Sequence, residues 1–264
     1  MRVISLLTDF GLEDAYVGVM KGVVLGINPN VQLVDLTHAI APQDVQRAAL
    51  ILRSAVSYFP PGTVHVAVVD PGVGSARRAL LMRTPKAFLI GPDNGVLSLA
   101  AQQLRPFTAY AIENDKFFHH PVSQTFHGRD IFAPVAAHLS AGVAADAFGP
   151  TINSIVELDL PAPVTEADGV RGEVVYVDRF GNLVTNIDTA ALTVFHGRAL
   201  SVSIGARVIA GPATAYTAVA AGTPVALIGS WSMLEIAVRD GHAARTLGAG
   251  PGTAVRIDAR DSRG

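Results

Sequence analysis

Over residues 3–141 the chain alternates between two hydrophobic periods, and this alternation limits the possible folds more than any other feature. RVISLL reads as a strand and DAYVGVMKGVVLGI as a helix that begins at an acid. VQLVDL is again strand-like, and VQRAALILRSAVSYF is helical until Pro60-Pro61-Gly62 stops it. TVHVAVVD, AFLIG and TAYAI continue the strand series, with a short helix expected after Asn94-Gly95 and another from Ile131 to Ala141. Strands separated by helices need right-handed crossovers, so the expectation is an α/β domain with a mostly parallel sheet and helices on both faces. Such sheets bind ligands at the carboxyl ends of their strands.

After Leu158 the periodicity changes. LDLPAPVTEADG is rich in proline, acids and small residues, and GEVVYVD, LVTNI, ALSVSI, PVALIG and AVRI then follow one another between glycines and prolines. This texture predicts an N-terminal α/β domain over 1–158, a linker over 159–170 and a smaller all-β, barrel-like domain over 171–264. The stretch from Val208 to Leu234 has no charged residue and is long enough to cross a bilayer. Gly211-Pro212, Gly222, Pro224 and Gly229 interrupt it, so it reads as buried strands and no membrane association is expected.

The charge balance, 20 basic against 22 acidic residues without a long like-charge run, argues against nucleic acid and for small-molecule partners. Cysteine is absent, which excludes disulfides, thiolate metal sites and a cysteine nucleophile. MRVISLLTDF turns acidic early and lacks the apolar run and cleavage site of a signal peptide, so a cytoplasmic location is expected.

Four polar clusters fall where this architecture places loops. In TDFGLEDAY, Asp9 closes the first strand and Asp14 stands at the start of the helix. Either could bind a vicinal diol, as acids do in nucleotide folds, or simply cap the helix. VAVVDPGVGSARR ends a buried strand in Asp70, with Arg77 soon after. It lacks the third glycine of GxGxxG and the Gly-Lys-Ser/Thr of a P-loop, which leaves a structural ion pair or a catalytic acid. QTFHGRD sets His127 before a helix, between the strand ends, either as a site histidine or as an ordinary one. VDRFGNLVTNI places Asp178, Phe180 and Asn182 around a glycine turn; Phe180 offers a stacking face and Asn182 a donor and an acceptor, although the same residues also make an ordinary turn. Zinc ligation by His119, His120 and His127 is not expected, because adjacent histidines on an extended segment point apart and no HExxH-like spacing occurs.

Taken together, TDFGLEDAYVGVMKG, VDPGVG with Arg77, GPDNG, FHGRD, DRFGNLVTNI and LEIAV with GHAA resemble S-adenosylmethionine (SAM) hydroxide adenosyltransferases, the hydrolase branch of the family that includes the adenosyl fluorinase and chlorinase. The resemblance implies hydrolysis of SAM to adenosine and methionine, with no metal and no cofactor. It also implies a homotrimer whose sites lie between the N-terminal domain of one subunit and the C-terminal domain of the next. Asp70, Arg77 and His127 would form the catalytic triad, and Asp9 would hold the ribose hydroxyls. Phe180, Asn182 and backbone near Ala243 would meet adenine, Asp178 and Ser230 would receive the methionine end, and Asp14 and Glu235 join the expected substrate-binding set. In-line attack of water on C5′ of the ribose needs no acid, because the sulfonium leaving group is already positively charged; Asp70 would orient the water or accept its proton.

Halogenating relatives carry a tyrosine where this chain has Asp70 and a small residue at or beside the position of His127, and the fluorinase has an inserted loop not seen here. These differences favour hydroxide over halide transfer, since an ionised Asp70 would repel an anion. A non-catalytic adenosine or SAM sensor is the alternative from another class. The chain departs from the fluorinase at Gln43, where that enzyme has tryptophan, and at Trp231, where it has an arginine for the methionine carboxylate; His242 stands where related chains often have asparagine.

Overall fold

In the computed structural model, which describes residues 2–260, the chain divides into two compact units, Met1–Leu158 and Asp159–Gly264. The first contains β1 (Val3–Thr8), α1 (Tyr16–Ile27), β2 (Gln32–Thr37), α2 (Val45–Ala55), β3 (Thr63–Val68), β4 (Ala79–Arg83), β5 (Ala87–Pro92), α3 (Ser98–Gln103), β6 (Thr108–Ala111), α4 (Ala133–Ser140) and β7 (Thr151–Ile152). Its sheet runs β2-β1-β3-β5-β4-β6-β7. The contacts β1-β2, β1-β3 and β3-β5 are parallel, as expected of crossovers, but β4-β5, β4-β6 and β6-β7 are antiparallel. The sheet is therefore mixed rather than mostly parallel. The reason is β4, which the sequence reading passed over: only Thr84-Pro85-Lys86 joins it to β5, too short for a crossover, so the chain must turn straight back.

β3 is buried along its whole length and feeds both faces of the sheet in alternation. Val64, Val66 and Val68 pack with Met20 and Val24 of α1 and Val135 and Leu139 of α4. Ala67, followed by Val69, packs with Ala48 and Leu52 of α2 and Ala100 of α3. Each fully buried aliphatic side chain contributes about 1.5–3 kcal/mol, which is how this strand fixes the position of the loop that follows it. The Asp44 carboxylate caps α2 by accepting from Arg47 N–H at 2.9 Å. α1 instead starts after Ala15, without a side-chain cap among the described residues, so neither Asp9 nor Asp14 caps it.

The second unit contains β8 (Val164–Glu166), β9 (Gly169–Val177), β10 (Leu183–Asp188), α5 (Thr189–Thr193), β11 (Ala199–Ile204), β12 (Arg207–Ala210), β13 (Pro224–Ile228), β14 (Met233–Val238), α6 (Ala243–Leu247) and β15 (Ala254–Arg260). β8 and the start of β9 occupy the stretch expected to be a linker. The sheet order is β12-β11-β15-β9-β10-β14-β13, all antiparallel, with β8 paired to β9. The two ends of this order approach each other through the segment after β12, where Ala213 N–H donates to Ala226 O at 2.7 Å, so the sheet nearly closes into a barrel. Val174, Leu183, Val202, Leu234 and Ile257 fill its interior. The uncharged stretch from Val208 to Leu234 supplies most of β12 and all of β13, and no helix of the described residues is long and apolar enough to cross a membrane.

Candidate functional site

β3 delivers Asp70 at the carboxyl edge of the sheet, and two tight turns bring the chain back on itself. Val73 N–H donates to Asp70 O at 3.2 Å, and Ser75 N–H and Oγ both donate to Gly72 O, at 3.1 and 2.7 Å. Gly74 takes a left-handed φ of +76°, and a Cβ there would lie 2.4 Å from Gln124 O, so only glycine allows this close approach. The result sets Arg77 against Asp70. Its Nε stands 3.0 Å from both carboxylate oxygens, and Nη2 also donates to Oδ2. The same Nη2 donates to His127 Nδ1 at 2.7 Å, so one guanidinium joins Asp70 to His127. The Arg77 guanidinium also lies 5.3 Å from the Phe132 ring centroid.

The GPDNG segment grips this loop at both ends. Asn94 Nδ2 donates to Val69 O at 2.8 Å, immediately before Asp70. Asp93 accepts from Arg78 Nε at 2.8 Å, immediately after Arg77, and from Val156 N–H at 2.7 Å. His127 is held in turn by the segment around it. Ser123 N–H and Arg129 Nε donate to the fully buried Asp130, at 2.8 and 2.5 Å, and Phe126 N–H donates to Ser123 Oγ at 3.0 Å. His127 then opens a single π-helical turn, Gly128–Phe132, that leads into α4. Burial, and after it the positive charge of Arg77, lower the pKa of His127.

Asp9 follows β1 directly, and its Oδ2 accepts from Gln43 N–H at 2.8 Å. Asp9, Asp70 and His127 line one cavity of about 410 Å³. Phe10, Tyr16 and Phe126 form an aromatic wall of that cavity, with ring centroids 5.1–5.8 Å apart. The sequence reading missed these three rings and the lining role of Gln43, although each ring lies inside a quoted motif beside a polar candidate. Asp14 is exposed and does not line the cavity.

In the second unit, the Asp178 carboxylate builds the turn that follows β9. Its Oδ1 accepts from Phe180 and Asn182 N–H at 2.8 and 2.9 Å, and its Oδ2 from Asn182 Nδ2 at 2.9 Å. One amide proton of Asn182 is thus spent within the turn. Phe180 projects at the tip, 75% exposed. Ala243, fully buried, begins α6, and Ala244 N–H donates to Gly181 O at 2.9 Å, which ties α6 to the turn. Asp178, Ser230, Trp231 and Glu235 line a small cavity of about 70 Å³, which Phe180, Asn182 and Ala243 do not line. Tyr216 Oη donates to Glu235 Oε1 at 2.6 Å. Burial, reinforced by the charge of Asp178, raises the pKa of Glu235. Among the described residues no three His, Cys, Asp or Glu side chains are grouped to hold a metal ion, and His120 Nε2 bonds to Asp115 O instead.

Residues 4–149 match the family described as SAM hydroxide adenosyltransferase N-terminal domain, and residues 172–256 match the corresponding C-terminal domain. Similar proteins include the (R)-S-adenosyl-L-methionine hydrolases of Thermus thermophilus, 41% identical over 97% of this chain and 100% of that protein, and of Salinispora tropica, 40% identical over 97% of each. A fluorinase of Actinoplanes sp. is 30% identical over 70% of this chain and 71% of that protein. The crystal structure of an uncharacterized conserved protein from Thermotoga maritima superposes with a TM-score of 0.90 at 39% identity, covering 97% of this chain and 99% of that one. With both of its units matched and relatives aligned along nearly its whole length, the chain belongs to the SAM hydroxide adenosyltransferase family.

Proposed function

We propose that this protein hydrolyses S-adenosyl-L-methionine to adenosine and L-methionine, with Asp70, Arg77 and His127 as its catalytic residues. The observation that carries the reading is the single Arg77 guanidinium that binds Asp70 and His127 beside a cavity also lined by Asp9. A water oxygen bonds to C5′ of the ribose as the C5′–S bond breaks. The bonding pair leaves with sulfur, which becomes the neutral thioether of methionine, and the water gives up one proton.

The hydrogen bonds divide the labour. Arginine can only donate, so His127 Nδ1 accepts and its ring hydrogen resides on Nε2. A neutral His127 with Nε2–H holds the water oxygen but cannot take its proton through Nδ1. Asp70 has lone pairs left over from Arg77 and receives the proton as the new bond forms. Asp9 binds the ribose diol through the oxygen that Gln43 does not occupy. Phe180, Asn182 and backbone at Ala243 take adenine, while Asp178, Ser230 and Glu235 receive the methionine end; Asp14 has no assigned role. The protein works as a homotrimer in which a neighbouring subunit completes each site, and light scattering that found an active monomer would refute this.

The named relatives act on the (R)-sulfonium epimer, so the test supplies each epimer separately in chloride buffer and resolves nucleosides by chromatography and mass. Adenosine with equimolar methionine supports the reading. Chloro-adenosine would assign halide transfer, and binding of SAM without product would assign a sensor.

A further inference from the structure

Two buried histidines stand behind β1, and neither has a part in the chemistry above. His65, fully buried, meets Ser5 Oγ through Nδ1 at 2.7 Å, and its Nε2 has no hydrogen-bond partner among the described residues. His38, 5% exposed, meets Thr8 Oγ1 through Nδ1 at 2.8 Å. Its Nε2 lies 3.1 Å from Asp35 Oδ1, outside good hydrogen-bond alignment, and Asp35 Oδ2 accepts from Lys21 Nζ at 2.6 Å. A carboxylate at that distance favours a hydrogen on Nε2, which leaves Nδ1 to accept from the Thr8 hydroxyl. Thr8 Oγ1 in turn accepts from Phe10 N–H at 3.2 Å, and the His38 carbonyl accepts from Gly11 N–H at 2.9 Å.

One residue therefore anchors both ends of the loop that carries Asp9: Thr8 through its ring and Gly11 through its backbone. Gln43 N–H supplies a third anchor from the same connection between β2 and α2. We propose that His38 is a positioning residue, which fixes the Thr8–Gly11 loop so that the free oxygen of Asp9 faces the vicinal diol of the substrate. The inference rests on the reading of Asp9 as the diol ligand.

Steady-state kinetics of the full chain test it with two substrates, SAM and an analogue that lacks both ribose hydroxyls. His38→Leu is expected to raise KM for SAM about tenfold, the value of one lost hydrogen bond, with kcat within about twofold. Thr8→Val should do the same, and the double variant should be no worse than either single one, because both break a single chain of contacts. His38→Asn, which restores a polar atom near the position of Nδ1, should recover most of the loss. None of these changes should alter KM for the analogue, and His65→Leu should leave both substrates unaffected. If His38→Leu does not fold, Thr8→Val, with its nearly equal volume, carries the test. Asp9→Ala with unchanged KM for SAM would remove the reading on which the inference rests. A raised KM in Asp9→Ala together with an unchanged KM in His38→Leu and Thr8→Val, or equal losses on both substrates, would overturn the role of His38 alone.

Discussion

The two cavities hold carboxylates in opposite ways. In the first, Asp70 is met by Arg77, as Asp93 and Asp130 behind it are met by Arg78 and Arg129, and Asp9 alone rests on a backbone N–H, that of Gln43. In the second, Asp178 and Glu235 line a cavity with no cationic side chain among its described residues; Asp178 is held by N–H groups and Glu235 by the neutral Tyr216. An internally neutralised acid suits a neutral reactant, because it can be aimed without a large field acting on its surroundings. Acids without a cationic partner suit a ligand that brings a positive charge, which is why the proposed reading gives them the ammonium of an amino acid. The same contrast separates the two units in their response to protons.

The largest expected effect breaks the neutralised side. Asp70→Ala should lower kcat at least about a thousandfold, since it removes both the proposed proton acceptor and the partner of Arg77, and single-turnover assays would show whether substrate still binds. Next comes the buried His65, which burial pulls from 6.5 to about 4. An unfolded chain takes up a proton that the folded one refuses between those values, so stability falls as pH drops through this window, by on the order of 3 kcal/mol in all. Thermal unfolding followed by circular dichroism from pH 7 to 4, with His65→Gln as the flattened control, checks the slope.

Loosening the loop without touching the triad should cost less. Asn94→Ala, which frees the carbonyl of Val69, is expected to reduce kcat about tenfold with KM nearly constant. The smallest effect sharpens the comparison from the second unit. The raised pKa of Glu235 means the folded form holds its proton where the unfolded one has lost it, so this group destabilises the fold above its ordinary range and ceases to do so on acidification. Glu235→Gln should therefore raise the unfolding midpoint at neutral pH and leave it unchanged in acid, and weaken substrate binding if Glu235 receives the methionine end as proposed. The sole tryptophan, Trp231, lies beside Tyr176 in the second unit, so its fluorescence separates this signal from that of His65.

The α/β class and the barrel were legible because apolar periodicity reports burial directly. β4 was not, since ALLMR is short and follows two arginines, and its direction is set by a three-residue connection rather than by its own pattern. The short α5 and α6 escaped for a related reason: each is capped by one side chain, Asp188 and His242, whose role depends on how the turn is already folded. Asp9, Asp70 and His127, which line the first cavity, could be named from motifs, but the tautomer of His127 depends on an arginine 50 positions away, and the anchoring of Thr8 on a histidine 30 positions away. The capping alternative for Asp14 does not form, because the helix begins at Tyr16, one residue beyond the reach of its side chain as N-cap.

The turn after β9 limits how this protein can change. Gly181 has φ +85°, and a Cβ there would fall 2.1 Å from Nδ1 of His242. Shrinking His242 alone leaves the backbone requirement in place, and replacing Gly181 alone drives a side chain into an imidazole. A side chain at position 181 would therefore need both a smaller residue at 242 and a backbone that bears the left-handed φ, so single-step change is closed at this corner of the turn.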